Sequence, residues 1–141
     1  MPAVALLSAL SLIGSGLAEI VGIEAPSTIA PGVPFTVTLV TEDFIQSIYD
    51  VAVAFGIAPS PGVPESLGAV FASEYLGPAL SNVVTPIDFT VQIDSSTPTG
   101  SYLLSASLFS LLGEDAEPSL STFSVTVAVG TATSTTIVSS N

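Results

Sequence analysis

Residues 87–93 decide the fold class, because they read Ile-Asp-Phe-Thr-Val-Gln-Ile and alternate apolar and polar side chains without a break. In an extended strand, successive side chains point to opposite faces of the sheet. One face of this segment is therefore wholly apolar and the other is wholly polar. The pattern predicts a β-strand that buries one face and leaves the other in water.

Outward from this segment, six further stretches show strand-type patterning, and signals for turns that contain Pro and Gly separate them. They are residues 20–24, 35–39, 48–55, 67–76, 102–108 and 123–129. Seven short strands with frequent turns are typical of two packed antiparallel sheets. The sequence therefore predicts an all-β, immunoglobulin- or fibronectin-like antiparallel β-sandwich of about seven strands.

The charge of the chain narrows the classes of partner. Its 141 residues include twelve Asp and Glu but no Lys, Arg or His, which gives a net charge of -12. Binding to nucleic acid needs cationic side chains to neutralise phosphates, and attraction to anionic lipid needs them as well. We therefore expect a protein partner with a basic surface, and neither nucleic acid nor a membrane.

The two ends of the chain differ in composition from its middle. Residues 3–18, AVALLSALSLIGSGLA, are uncharged and end in small residues, as a secretory signal peptide does. A retained anchor or a buried first strand is the alternative for this segment. We expect residues 1–18 to be a cleaved signal peptide, residues 19–130 to be the sandwich domain, and residues 131–141 to be a Ser/Thr-rich flexible tail. The mature chain is expected to be secreted, extracellular and monomeric, without a membrane anchor.

The inventory of reactive side chains argues against catalysis. Since His, Cys, Lys and Arg are absent, neither a serine triad nor a thiol nucleophile can be built. The carboxylate pair of a glycosidase is the main catalytic arrangement that these residues leave open, but no spacing singles one out. The acidic clusters Glu42-Asp43 and 114–117 match no calcium loop and are interpreted as solvated turns. We expect a protein that is not an enzyme, with no catalytic residue, cofactor or metal.

Most of the aromatic residues are expected to pack in the core, because aromatic side chains dominate core packing. This expectation covers Phe55, Phe71, Phe89, Phe109 and Phe123. Tyr49, Tyr75 and Phe44 are less tied to the inward phase of their strands. They are the first candidates for contact with a partner.

Five strings carry a resemblance to a known family. They are residues 41–56, residues 58–62 (Ala-Pro-Ser-Pro-Gly), residues 67–68 (Leu-Gly), residues 75–78 (Tyr-Leu-Gly-Pro) and residues 106–113. Together they resemble the necrosis-inducing secreted protein family of fungal effectors, over roughly residues 20–130. The resemblance implies a virulence protein that binds receptor-like or receptor-associated kinases of a host plant, suppresses immune signalling and induces cell death. It also implies secretion, with translocation into the host cytoplasm.

The resemblance and the pattern of aromatic residues together give a set of candidate partner-binding residues. They are Phe44, Tyr49, Ala58, Pro59, Ser60, Tyr75, Leu76, Gly77, Pro78, Phe109, Leu112 and Gly113. Two other functions stay open from the sequence. One is a cell-wall or carbohydrate-binding module, and the other is a structural extracellular domain.

Overall fold

The computed structural model describes residues 16–140, so most of the expected signal peptide lies outside the described residues. Nine strands and one short 3₁₀ helix, Pro78–Leu80, make up the described chain. The strands are β1 (Ala18–Pro26), β2 (Thr28–Ile29), β3 (Phe35–Asp43), β4 (Ile48–Pro59), β5 (Ala69–Tyr75), β6 (Ile87–Val91), β7 (Gly100–Leu112), β8 (Glu117–Val129) and β9 (Ile137–Ser139). Among residues 16–140, no helix is long and apolar enough to cross a membrane.

The strands form two sheets, with the order β6-β3-β1-β9 in one and β2-β8-β7-β4-β5 in the other. All neighbours are antiparallel except β2 and β8, which run parallel. Apart from the short β2 and β9, three strands lie in one sheet and four in the other, which gives the seven strands of immunoglobulin-like sandwich domains. The Tyr102 hydroxyl donates to the Pro98 carbonyl at 2.7 Å, like the tyrosine corner of those domains. The predicted sandwich is confirmed.

The core lies between the sheets and is built by the alternating positions that the sequence shows. In β3, Phe35, Val37 and Leu39 are buried while Thr36 faces solvent. The Phe55 ring is fully buried, with the rings of Phe71 and Phe89 at centroid distances of 6.4 and 6.2 Å. Rings at these distances attract each other beyond the effect of burial alone. This cluster joins the two sheets near the middle of β4.

Phe109 differs from the expected core assignment. In β7 the neighbouring Leu108 is buried, whereas 37% of Phe109 is exposed. The registers with β4 and β8 place Phe109 on the outer face of its sheet. It is therefore a surface aromatic residue.

Two glycines explain where β5 begins. At Gly56 a Cβ atom would lie 2.3 Å from the Leu67 carbonyl oxygen, and at Gly68 it would lie 2.5 Å from the Ile57 carbonyl oxygen. Gly68 also has a φ of 74°, which side-chain-bearing residues rarely adopt. The connection after β4 thus packs directly onto that strand, and β5 starts at Ala69 rather than at the predicted Leu67.

Residues 131–140 do not form the flexible tail that the sequence suggested, because β9 pairs with the end of β1. Hydroxyl groups of this segment accept hydrogen bonds from backbone N–H groups that would otherwise be unpaired. The pairs are Ile23 N with Ser140 Oγ at 2.8 Å, Thr28 N with Ser134 Oγ at 3.0 Å, and Ala30 N with Thr133 Oγ1 at 3.0 Å. The Ser and Thr residues of this segment therefore hold it against the sandwich through hydrogen bonds to the backbone.

Candidate functional site

A line of exposed apolar side chains crosses the outer face of the five-stranded sheet. Ala52 of β4 pairs with Tyr75 of β5 on one side and with Phe109 of β7 on the other, and Phe109 pairs with Leu120 of β8. Directly paired residues share a face, so these four side chains form one line, here called the aromatic row. Tyr75 is 67% exposed and Leu120 is 77% exposed. An exposed apolar group of this kind is a candidate interaction site.

Two neighbours hold Tyr75 in place. Its hydroxyl lies 2.9 Å from the Tyr49 hydroxyl. Its ring lies over Gly77, where a Cβ atom would come within 2.5 Å of the ring carbons. The hydrogen bond with Tyr75 is the main factor that raises the pKa of the Tyr49 phenol. Tyr75 is therefore oriented before any partner arrives, which lowers the entropy cost of binding.

A second line of side chains extends the surface towards one end of the sandwich. Tyr49 pairs with Leu111, and Leu111 pairs with Pro118. These residues lie next to the aromatic row on the same face, because they precede or follow its members by two or three positions on β4, β7 and β8. The apolar surface thus spans neighbouring strands of the sheet.

Acidic side chains gather at the same end. Glu19 of β1 pairs with Glu42 of β3, and the turn after β7 is tied to the β3–β4 loop by a hydrogen bond from Gly113 N to Ser47 O at 3.0 Å. The exposed Ile45 stands at the tip of that loop. The residues that we call the acidic end are Glu19, Glu42, Asp43, Glu114, Asp115 and Glu117. The aromatic row therefore lies beside a strongly negative surface.

A cavity of about 110 Å³ lies at this end between the two sheets. Asp50 lines it and is 2% exposed, and its Oδ1 accepts a hydrogen bond from the Ser110 hydroxyl at 2.7 Å. The Asp50 N–H donates to Ser81 Oγ at 2.8 Å. Burial raises the pKa of Asp50, the Ser110 hydroxyl opposes the shift, and the charge of Glu19 adds to it. Within residues 16–140, no three His, Cys, Asp or Glu side chains are grouped as a metal site.

The raised pKa of Asp50 predicts a pH-dependent stability. The folded state holds this proton more tightly than the unfolded chain, whose pKa is near 3.8, so the unfolding free energy should increase as pH falls through the raised value towards 3.8. Asp50→Asn keeps an acceptor for Ser110 and removes the charge. We expect this variant to gain melting temperature over the unchanged protein at about pH 7.5 and to lose that advantage near pH 4. An advantage of equal size at both pH values would contradict the assignment to Asp50.

The structure brings together some of the residues that the sequence singled out. Tyr49, Tyr75 and Phe109 meet on the outer face, and Phe44, Leu112 and Gly113 line the cavities of the acidic end. In contrast, Ala58, Pro59 and Ser60 lie at the far end of β4, where Ser60 N donates to Ser101 O at 3.0 Å. The candidate residues therefore fall in three regions. The outer-face group adjoins the group at the acidic end, whereas the group at the far end of β4 is separate from both.

Leu76 and Gly77 require a correction, because both are buried and cannot form a contact surface. Their N–H groups donate to the carbonyls of Val51 and Asp50 at 2.9 and 2.8 Å, which draws the chain inward after β5. Pro78 follows and is exposed at the start of the 3₁₀ helix. In the Tyr-Leu-Gly-Pro string, Leu76 thus fills the core and Gly77 makes room for Tyr75.

Leu111 and Leu120 are surface residues that the sequence analysis missed. The predicted last strand began at residue 123, whereas β8 begins at Glu117. The signal lay in residues 120–128, where Leu-Ser-Thr-Phe-Ser-Val-Thr-Val-Ala places Leu120 in the same phase as Thr122 and Thr126. That phase is the polar, outward one.

Comparisons with known proteins agree with the resemblance seen in the sequence. The model of the Nis1 family matches residues 17–128. Necrosis-inducing secreted protein 1 of Colletotrichum orbiculare is 43% identical over 136 residues, which is 96% of this chain and 84% of the relative. The protein of the same name from Colletotrichum higginsianum is 43% identical over 124 residues, 87% of this chain and 86% of the relative.

Among solved structures, a superoxide reductase (neelaredoxin) from Ignicoccus hospitalis aligns with 86% of this chain and 87% of its own, with a TM-score of 0.43 and 12% identity. A CARDB domain from Pyrococcus furiosus aligns with 81% of this chain and 86% of its own, with a TM-score of 0.45 and 13% identity. The family match covers most of the chain and agrees with both fungal relatives. The chain therefore belongs to the Nis1 family, whose curated relatives are named as secreted, necrosis-inducing proteins.

Proposed function

We propose that this protein is a secreted effector that binds a receptor-like or receptor-associated immune kinase of a host plant and suppresses its signalling. Host cell death then follows from the lost control of that pathway. Because the kinase domains of such receptors face the cytoplasm, the proposal includes translocation into the host cell. The observation that carries the proposal is the aromatic row beside the acidic end, on a chain of the Nis1 family.

The aromatic row supports binding to a protein surface. Tyrosine is enriched among the residues that dominate binding energy, and aromatic residues in general are enriched at interfaces. Tyr75 and Phe109 stand on the same side of the sheet with the small Ala52 between them. This arrangement places only the small Ala52 side chain between the two rings, so an apolar side chain of a partner would fit between them.

The acidic end supports a partner with a basic patch. Charges near an interface mainly speed encounter and select among partners, and both effects weaken as salt is added. Since this chain has no Lys, Arg or His, its own side chains offer no positive charge that would oppose such an encounter. We propose that binding alone, without catalysis, accounts for inhibition of the kinase.

Charge neutralisation tests the electrostatic part of this proposal. The triple variant Glu114→Gln, Asp115→Asn, Glu117→Gln should associate about tenfold more slowly with a cognate kinase domain at low salt. Its association rate should also depend less on salt. The measurement is surface plasmon resonance of residues 19–141 against a panel of plant receptor-like kinase domains at two salt concentrations, with a kinase assay alongside.

A matched triple variant controls for total charge. Glu24→Gln, Glu65→Gln and Asp88→Asn also remove three charges, so both triples carry -9 in place of -12. These three acids lie away from the acidic end, and this variant should associate at nearly the unchanged rate. Equal slowing in both triples would show that net charge, rather than the acidic end, controls encounter. Absence of binding and of kinase inhibition across the panel would overturn the proposed function.

The exposed Tyr75 and Phe109 also favour a second candidate, a carbohydrate-binding module, because aromatic rings on a sheet face can stack on sugar rings. A pull-down with insoluble cell-wall polysaccharides separates the two functions. Retention on polysaccharide that Phe109→Ala abolishes would support this candidate. Kinase binding without such retention would support the effector.

A further inference from the structure

Asp50 is the one acidic side chain among residues 16–140 that is buried, and it lies in the wall of the 110 Å³ cavity. A β-bulge between Asp50 and Ala52, seen in the pairing of β4 with β7, accompanies its inward position. Ser110 Oγ donates to Oδ1. No hydrogen bond to Oδ2 is made by any side chain or N–H group between residues 16 and 140. One carboxylate oxygen is therefore left for a ligand.

The charge of this carboxylate has no cationic side chain in the sequence to pair with. A buried charge is normally paired, because removing it from water is costly. The sequence contains no Lys, Arg or His that could pair with Asp50. Glu19, which also lines the cavity, adds a second negative charge. A cationic side chain that neutralises Asp50 must therefore come from another molecule.

The remaining walls indicate the shape of that positive group. The apolar part of the lining consists of Phe44, Ile48, Leu108 and Leu112. The hydroxyl groups of the lining belong to Ser110, Ser119 and Ser121. A cavity of about 150 Å³ can hold benzene, so 110 Å³ accommodates a slightly smaller chain of carbon atoms. Methylene groups would contact the apolar wall while a terminal donor reaches the carboxylate and the serine hydroxyls.

We infer that the Asp50 cavity binds a primary alkylammonium group, such as the end of a lysine side chain of a partner protein. An ammonium carries three donors, which match Asp50 Oδ2 and the hydroxyls beside it. Its flexible alkyl stem buries well along apolar surfaces. The site is separate from the aromatic row, and the inference does not depend on which protein supplies the lysine.

The inference is tested with n-butylammonium chloride as the probe and n-butanol as its neutral counterpart. Each is titrated into ¹⁵N-labelled residues 19–141 with an acetylated N-terminus, which removes the α-ammonium charge of Glu19 from the cavity, while the backbone amide shifts are followed. We expect saturable shifts at Ile20, Ile48 and Leu108 with butylammonium. Butanol should bind with an affinity that is weaker by about tenfold or more. Butanol that binds as tightly as butylammonium would overturn the inference, as would the absence of shifts at these residues.

Variants distinguish the carboxylate from the general negative charge of the surface. Asp50→Asn should weaken butylammonium binding by about tenfold or more, whereas Asp88→Asn, an exposed acid of β6, should leave it unchanged. Ser119→Phe retains Asp50 and fills part of the cavity, so it should also abolish binding even if Asp50→Asn fails to fold. Unchanged binding in folded Asp50→Asn or in Ser119→Phe would overturn the inference. Either result leaves the kinase proposal standing, because that proposal is tested by the kinase panel and by variants of the aromatic row and the acidic end.

Discussion

Replacing Phe55 with alanine is expected to lower the free energy of unfolding by about 3–5 kcal/mol. The ring is fully buried and packs between Phe71 and Phe89, which belong to opposite sheets. Its removal leaves a cavity at the point where the two sheets are joined. Because the chain has no cysteine, no disulfide bond can compensate. Urea denaturation of residues 19–141, followed by circular dichroism, measures the change.

Phe109→Ala is the matched control for this prediction, because the same atoms are removed from the outer face of the sheet. We expect a loss of about 1 kcal/mol or less, since Phe109 already contacts water. A domain of this size is stable by about 5–15 kcal/mol, so the two variants should be clearly resolved. Similar losses for both would mean that the Phe55 cluster is not the main junction between the sheets.

The strands of the core were predictable because their alternation is simple. In residues 87–93 each apolar position faces the interior, and Ile93 stays buried although β6 ends at Val91. The turns between strands were equally predictable, because Pro and Gly mark them in the sequence. The local pattern is enough to predict these strands because each has one face in solvent and one face in the core.

The outer face was harder to predict because it carries apolar residues too. Residues 108–112 read Leu-Phe-Ser-Leu-Leu, so the pattern alone does not say which phase faces the core. Pairing with β4 decides this, and the bulge between Asp50 and Ala52 shifts that pairing by one residue. The bulge also accompanies the burial of Asp50, which the alternation of residues 48–55 did not reveal. The register depends on both paired strands, so it cannot be predicted from the sequence of one strand alone.

The family strings gave the location of the site only in part. A string shared with a family reports that a position matters but does not say whether it is in the core or on the surface. In Tyr-Leu-Gly-Pro, Tyr75 is exposed, Leu76 is buried and Gly77 supports the ring of Tyr75. The prediction for the Ser/Thr-rich tail was wrong for a different reason. Its composition suggested disorder, but its hydroxyls accept hydrogen bonds from backbone groups of β1 and β2.

The largest expected effect on function comes from the aromatic row. The double variant Tyr75→Ala, Phe109→Ala should weaken binding to a cognate kinase domain by about 100-fold or more, since central aromatic residues commonly contribute about 2 kcal/mol each and their effects are not strictly additive. Both side chains are exposed, so the fold should persist. Calorimetric titration gives the affinity, and the near-ultraviolet dichroism of the remaining aromatic residues checks the core.

Two further variants show whether the rings themselves, rather than the sheet face in general, carry this effect. Thr122→Ala with Thr126→Ala alters the same outer face on β8 beyond Leu120 and should bind like the unchanged protein. Tyr49→Phe removes the hydroxyl that fixes Tyr75 but leaves both rings, so it should weaken binding only a few-fold, through lost preorganisation. A double variant that folds and still binds with the original affinity would place the kinase contact elsewhere on the molecule. Because both rings lie in one line across the sheet, on the two strands that flank β4, a partner that contacts one ring should be in reach of the other.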